Sequence, residues 1–244
     1  MPLSVEEIRS NYLRVQEEIQ HTALKCGRKP EEIRIVVVSK SQPLKVVESA
    51  INAGIRSFGE NYPEEAMEKI HAFRDVEGIE WHMIGHLQSR KAKLVSAYFD
   101  WMHSLDSLRI AEKLERLLAE QNRFLKVLLE FNVGGEVSKY GWLASDPDYW
   151  SELIPEIDQI QQFPHLQICG LMTMPPLTAT LQEAQGYFRK LRQMRDFLQE
   201  RLPKLKLTEL SMGTSADFPA AIMEGATIVR IGQAILGPRD YSKD

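Results

Sequence analysis

One lysine, one arginine and two glycine-containing segments carry the chemistry of this sequence. Lys40 directly follows Ile33–Ser39, a β-branched apolar run read IRIVVVS. A lysine ending such a run brings its amine to a cavity, where burial disfavours the ammonium and frees a nucleophile that condenses with a carbonyl to a Schiff base. The alternative is a stem lying along the strand end with the ammonium in water. The segment Ser211–Phe218, SMGTSADF, sets a glycine and three hydroxyls just before a helix expected near Asp217. Helix N-termini present unpaired N–H groups and suit an anion; the alternative is that Ser215 only caps that helix. In Val229–Ala234, VRIGQA, Arg230 lies two residues before Gly232. At period two they share a face, so Arg230 points wherever Gly232 approaches a ligand. A buried guanidinium needs an acceptor, from a ligand, from a carboxylate such as Glu60, or from a carbonyl.

These residues need elements that converge them. An amphipathic helix is expected over residues 4–25, followed by strands at Ile33–Ser39, Arg56–Phe58, Glu80–Ile84, Phe99–His103, Phe124–Phe131, Leu166–Met172, Leu207–Ser211 and Thr227–Ile231. Helices alternate with them: from Pro43 to Ala53, Pro63–Phe73, from near Gln88, Ser107–Gln121, Trp150–Gln162, Leu181–Leu202 and Asp217–Glu224. Gly134–Asp148 reads as a long loop. Eight βα units in 244 residues are the arithmetic of a single-domain (β/α)8 barrel over 1–244, with the first helix an extra element covering its N-terminal face or its side. A doubly wound open sheet is the runner-up, but no GxGxxG follows the first strand. In a barrel the polar rim gathers at the strand C-termini, and the loops after the last two strands frequently take a phosphate.

Composition narrows the partners. The chain is 43% hydrophobic and 26% charged, with 30 Lys and Arg against 34 Asp and Glu, a net charge of −4. No overall field draws it to nucleic acid or to an anionic membrane. Cys26 and Cys169 stand far apart, which excludes a disulfide framework, and no metal site is expected. His82 and His86 are four apart, but EWHMI reads as a strand, so His82 is expected to be a satisfied core or rim histidine. No secretory h-region or membrane-spanning run is present, and a cytoplasmic location is expected.

A carbonyl-reactive lysine, a phosphate cradle and a buried arginine together suit pyridoxal 5'-phosphate (PLP), an aldehyde carrying a phosphate. The segments VVVSKSQP, FGENYPEE, WHMIGHLQSRK, HSLDSL, GLMTMPP, LSMGTSADF and VRIGQAILGPRDY run in order from Val36 to Tyr241. Through them the chain resembles the YggS/PROSC family of pyridoxal phosphate homeostasis proteins. The resemblance implies a barrel similar to the N-terminal domain of alanine racemase, with Lys40 as the Schiff-base residue. It implies that Gly213, Thr214, Ser215 and Gly232 hold the phosphate, that Arg230 meets the pyridine nitrogen, and that Asn61 lies near the ring substituents. Two positions depart from the family pattern: Gln233 where Thr or Ser is common, and Thr214 where Met is common.

Three functions compete. The first is a non-catalytic protein of vitamin B6 homeostasis that holds and delivers PLP, with apo PLP-dependent enzymes as recipients. The second is a PLP-dependent racemase or decarboxylase, and the third a PLP-sensing regulator acting through protein contacts. Racemases of the resembling fold use a further domain and a partner subunit, for which this sequence leaves no room after its last strand. The carrier, expected as a monomer, is therefore favoured over an enzyme.

Overall fold

The computed structural model describes residues 3–176 and 180–238. Eight parallel strands close on themselves: β1 (Arg34–Val38), β2 (Ser57–Glu60), β3 (Glu80–Met83), β4 (Trp101–Leu105), β5 (Leu125–Asn132), β7 (Leu166–Met172), β8 (Glu209–Ser211) and β9 (Ile228–Ile231). They run in the order β4-β3-β2-β1-β9-β8-β7-β5, and pairing of β4 with β5 completes the ring. The remaining strand, β6 (Trp142–Leu143), adds two residues parallel to the end of β5. Around the barrel lie α1 (Val5–Lys25), α2 (Leu44–Asn52), α3 (Pro63–Ala72), α4 (Ala92–Tyr98), α5 (Leu108–Gln121), α6 (Ile154–Ile160), α7 (Leu181–Arg201), α8 (Phe218–Met223) and α9 (Gln233–Leu236). The (β/α)8 expectation is met. Arg239, Asp240 and Tyr241 of the last family segment fall outside the described residues.

The strand alternation is legible in β1. Ile35 and Val37 join the layer between barrel and helices. Val36 instead packs with Trp101, Leu128, Met172 and Ile228 in a separate interior cluster. Both faces are dry, which is why the run is almost wholly β-branched. Each large apolar side chain so buried stabilises the fold by roughly 1.5–3 kcal/mol. α1 opens on a capping box between Ser4 and Glu7. It lies along the side of the barrel rather than over its N-terminal face: Asn11 donates to the Ile235 carbonyl (3.1 Å), and Arg28 to the carbonyls of Ile222 (3.0 Å) and Ala226 (2.8 Å).

Three local readings shift. Phe99 closes α4 with its N–H on the Val95 carbonyl, so β4 begins two residues later than its apolar run. The helix expected from Gln88 starts as a 3-10 turn, Ser89–Lys91. The long loop after β5 contains β6, whose Trp142 is buried against Phe131.

A buried ion pair fixes the end of β1. Lys69 of α3 is 5% exposed; its Nζ donates to Glu60 Oε1 and to the Ser39 carbonyl, each at 2.7 Å. The Ser39 hydroxyl donates to the same carboxylate oxygen at 2.7 Å. Glu60 is thus the partner of Lys69, not of Arg230. Removing one member of such a pair leaves a buried charge uncompensated, at a cost of about 3–5 kcal/mol. Lys69→Ala is expected to lose that much in urea unfolding. The double variant Glu60→Gln/Lys69→Met should recover most of it, and a Lys69→Ala midpoint equal to wild type would contradict the assignment.

Candidate functional site

The inward positions stack in levels from the N-terminal to the C-terminal end of the barrel. At the bottom are Arg34, Ser57, Glu80 and Trp101; the Arg34 guanidinium (4.8 Å) and the Lys126 ammonium (4.7 Å) lie over the Trp101 ring, whose N–H donates to Glu80 (3.2 Å). Above them come Val36, His82, His103, Leu128 and Ser211. Register pairs Gly59 with His82 and Val36 with Arg230, so Arg230 enters from β9 at the upper level. It is 5% exposed. Its guanidinium donates to Ser211 Oγ (2.6 Å) and the Thr173 carbonyl (2.9 Å), with Met174 Sδ at 3.5 Å. A guanidinium has five N–H groups and these contacts leave donors over. Burial pulls its pKa down to about 10, against the opposing pull of Glu130 and Asp217.

Glu130 on β5 was not singled out from sequence. It is buried, its Oε2 has no hydrogen-bond partner, and it feels the charges of Asp106, Arg230 and Lys139. Burial, aided by Asp106, pushes its carboxyl from 4.5 up to about 7. The signal is an acid two residues beyond Leu128, on the same inward parity, in the apolar stretch Val127–Phe131 of that strand.

At the mouth, Lys40 is half-buried in the turn after β1, and the next residue, Ser41, holds φ 56°. Ser39 faces α3 through the Lys69 pair, and Lys40 follows it in the turn at the C-terminal end of the barrel. Asn61 is half-buried and does not cap α3, whose N-cap position is Tyr62. A side chain on Gly85 would come within 2.5 Å of the Asn61 carbonyl oxygen, so that glycine lets the β3 loop lie against Asn61.

Gly213 has φ 93°, and a Cβ there would sit 2.9 Å from Phe218 Cα and 2.7 Å from Ala221 Cβ. Its carbonyl accepts from the Arg230 N–H (3.0 Å), which joins the glycine loop to the arginine strand. Thr214 donates both its backbone N–H (2.6 Å) and its hydroxyl (2.9 Å) to Asp217 Oδ1. Ser215, half-buried beside it, has no such tie to Asp217, and Gly232 leads from β9 into α9. These residues share one end of the barrel, with Lys40 in the turn after β1 and Arg230 on the neighbouring β9.

The other rim polar groups are spoken for. Asn132 accepts from the Gly135 N–H (2.9 Å) and donates to the Glu136 carbonyl (2.8 Å), ordering the β5 loop. His86 bonds Asp106 (2.8 Å) and stacks on Tyr140 of that loop (centroids 3.6 Å apart). His82 bonds Ser57 (2.8 Å) and His103 (3.0 Å) in the interior. His82 and His86 therefore diverge. Among the described residues, no group of three or more His, Cys, Asp or Glu could hold a metal ion, and no helix is long and apolar enough to cross a membrane.

Comparison with known proteins gives the same picture. The family model for the alanine racemase N-terminal domain matches residues 4–240. The Escherichia coli K12 pyridoxal phosphate homeostasis protein is 41% identical over 244 residues, covering 98% of this chain and 100% of that protein. Its Aquifex aeolicus namesake is 38% identical over 93% of this chain and 96% of its own length. Among solved structures, PipY of Synechococcus elongatus PCC7942, described with PLP bound, superposes with a TM-score of 0.81 at 35% identity, covering 94% of this chain and 100% of that one. An alanine racemase of Clostridium difficile 630 shares the fold (TM-score 0.69, 17% identity), with 96% of this chain matching 57% of the racemase. The chain belongs to the family of pyridoxal phosphate homeostasis proteins, built on the alanine racemase N-terminal domain.

Proposed function

We propose that this chain binds pyridoxal 5'-phosphate at the C-terminal mouth of the barrel and serves its homeostasis by holding and delivering it, rather than by turning over amino acids. The observation that carries the reading is Arg230: a guanidinium buried at the upper level, with donors left over after Ser211 and Thr173, beside the turn that bears Lys40. The names of the relatives and the PLP-bound PipY structure support the same ligand.

When bound, PLP supplies an aldehyde, an acceptor ring nitrogen and a phosphate dianion, and the chain has a group for each. Lys40 holds the aldehyde carbon as a Schiff base, its amine nitrogen bonding that carbon as the carbonyl oxygen leaves in water. Arg230, which can only donate, faces the ring nitrogen and keeps it unprotonated, weakening the ring as an electron sink. Gly213 gives the phosphate loop its close turn. Ser215 and the Gly232 backbone donate to the phosphate. Thr214, with its donors on Asp217, shapes the loop rather than contacting the ligand. Gln233 contributes a backbone N–H where the family often has a hydroxyl. Asn61 borders the ring substituents. A weakened sink suits storage and release, with apo PLP-dependent enzymes as recipients. Amino-acid racemisation or decarboxylation by the loaded protein at about 1 s⁻¹ or faster, an ordinary enzymatic rate, would overturn the carrier reading.

The phosphate anchor and the covalent link are separate. Lys40→Ala should therefore lose the visible band and borohydride-stable labelling, yet still retain PLP in equilibrium dialysis. Complete loss of binding in that variant would contradict the two-point account. Glu130 gives a second test, on the cofactor-free protein. Its pKa is raised on folding, so its ionisation lowers stability as pH climbs from about 4.5 through about 7, and the full penalty persists above that. The gap corresponds to roughly 3 kcal/mol. Glu130→Gln should match wild type near pH 4.5 and exceed it by about 2–3 kcal/mol at pH 8 in urea unfolding. A stability difference independent of pH would refute it.

A further inference from the structure

The barrel interior holds an unbroken polar chain that the binding site does not by itself require. Arg230 Nη1 lies 2.6 Å from Ser211 Oγ. Ser211 Oγ lies 2.9 Å from His103 Nδ1. His103 Nε2 lies 3.0 Å from His82 Nδ1, and His82 Nε2 lies 2.8 Å from Ser57 Oγ. Ser211, His103 and His82 are each 1% exposed or less. Ser57, half-buried, lines a pocket of about 640 Å³ at the opposite, N-terminal end of the barrel.

The arginine sets the direction of every bond. Guanidinium only donates, so Ser211 accepts from it and has one proton of its own to place. Its other neighbour in the chain is His103 Nδ1, which must therefore be the acceptor. A neutral His103 then carries its proton on Nε2 and donates to His82 Nδ1. His82 in turn carries its proton on Nε2 and donates to Ser57. Reversing any link would leave the buried Ser211 proton without an acceptor, at the cost of an unsatisfied polar group. Both rings are kept neutral. Burial, with Arg34 and Lys126 nearby, takes His82 down to about 3; burial, with His82, Arg230 and Arg34, holds His103 well below its ordinary value. The His82 ring is also clamped in plane, stacked on Trp101 with centroids 5.7 Å apart and 13° between planes.

We propose that Ser211, His103 and His82 are positioning residues for the cofactor: a one-way hydrogen-bond chain, closed at Ser57, that fixes the Arg230 guanidinium in the orientation it presents to the ring nitrogen. This rests on the PLP reading above, with Arg230 at the ring. The Thr173 carbonyl holds one side of the guanidinium and the chain holds the other. Without the chain the Arg230 side chain keeps its charge but loses its fixed direction. The ring nitrogen then meets water or a misaligned donor.

The test has two arms. In the first, the cofactor-free wild-type protein is labelled with ¹⁵N-histidine, and the ring tautomers are read by long-range ¹H–¹⁵N NMR. His82 and His103 should both appear as neutral Nε2–H forms from pH 8 to pH 5. An Nδ1–H tautomer at either ring overturns the chain's direction whatever the ligand. In the second, Ser211→Ala, Ser211→Thr and His103→Gln are loaded with PLP, and the absorption maximum and Kd are compared with wild type. Ser211→Ala should shift the band and weaken binding about tenfold, the scale of one buried hydrogen bond. His103→Gln should do likewise, and Ser211→Thr should restore both. An unshifted band and unchanged Kd in a folded Ser211→Ala or His103→Gln protein overturn the positioning role. Wild-type protein that takes up no PLP overturns the site reading, and the positioning role with it, even where the tautomers are as stated.

Discussion

A permanent positive charge inside a barrel is the constraint on which this molecule turns. Arg230 sits where water does not reach, and a guanidinium there is tolerated only if acceptors surround it. The interior answers with a hydroxyl, a backbone carbonyl and a thioether. Glu130 lies on the far strand but is not bonded to the arginine; its own burial, with Asp106, holds back its ionisation. The result is a half-satisfied charge at the mouth of the barrel, with donors to spare. That suits a ligand bringing an acceptor ring and an anion better than it suits an empty core.

The scaffold converts this constraint into a site through strand parity. β1 and β9 are neighbours, and the register that pairs Val36 with Arg230 sets the Lys40 turn above the guanidinium. The Ser39–Glu60–Lys69 cluster anchors the same strand end to α3, immediately before the Lys40 turn. The Gly213 carbonyl on the Arg230 N–H ties the Gly213 loop to β9. Lysine, arginine and loop are thus placed by one local stretch of sheet.

Much of this was legible in the sequence, and the physics explains why. Runs such as Ile33–Ser39 and Phe124–Phe131 read as strands from composition, because most positions of these barrel strands are buried on both faces. Arg230 lies on β9, while Gly232 stands just beyond it at the start of α9. What local pattern does not encode is how far a neighbouring element reaches. Phe99 looks like a strand residue but ends a helix, and Trp142 lies in a Gly-rich loop yet pairs with β5 because Phe131 offers it an apolar face. The partners of charged groups were the least legible, since they join strands far apart in sequence. Glu60 was weighed as a partner for Arg230 and is taken by Lys69, nine residues on. The Arg230–Ser211–His103–His82–Ser57 chain draws on five residues from five strands, and nothing in their spacing announces it. Thr214 reads as a phosphate hydroxyl from its motif, yet Asp217, three residues later, accepts both of its donors.

The central claim is that Lys40 holds the cofactor covalently at a mouth organised by Arg230. It is tested most directly by loading the protein with PLP, reducing it with borohydride and mapping the modified peptide by mass spectrometry. The account predicts one pyridoxyl group per chain, on the peptide containing Lys40. Label spread over exposed lysines, concentrated on another lysine, or absent after loading would contradict it.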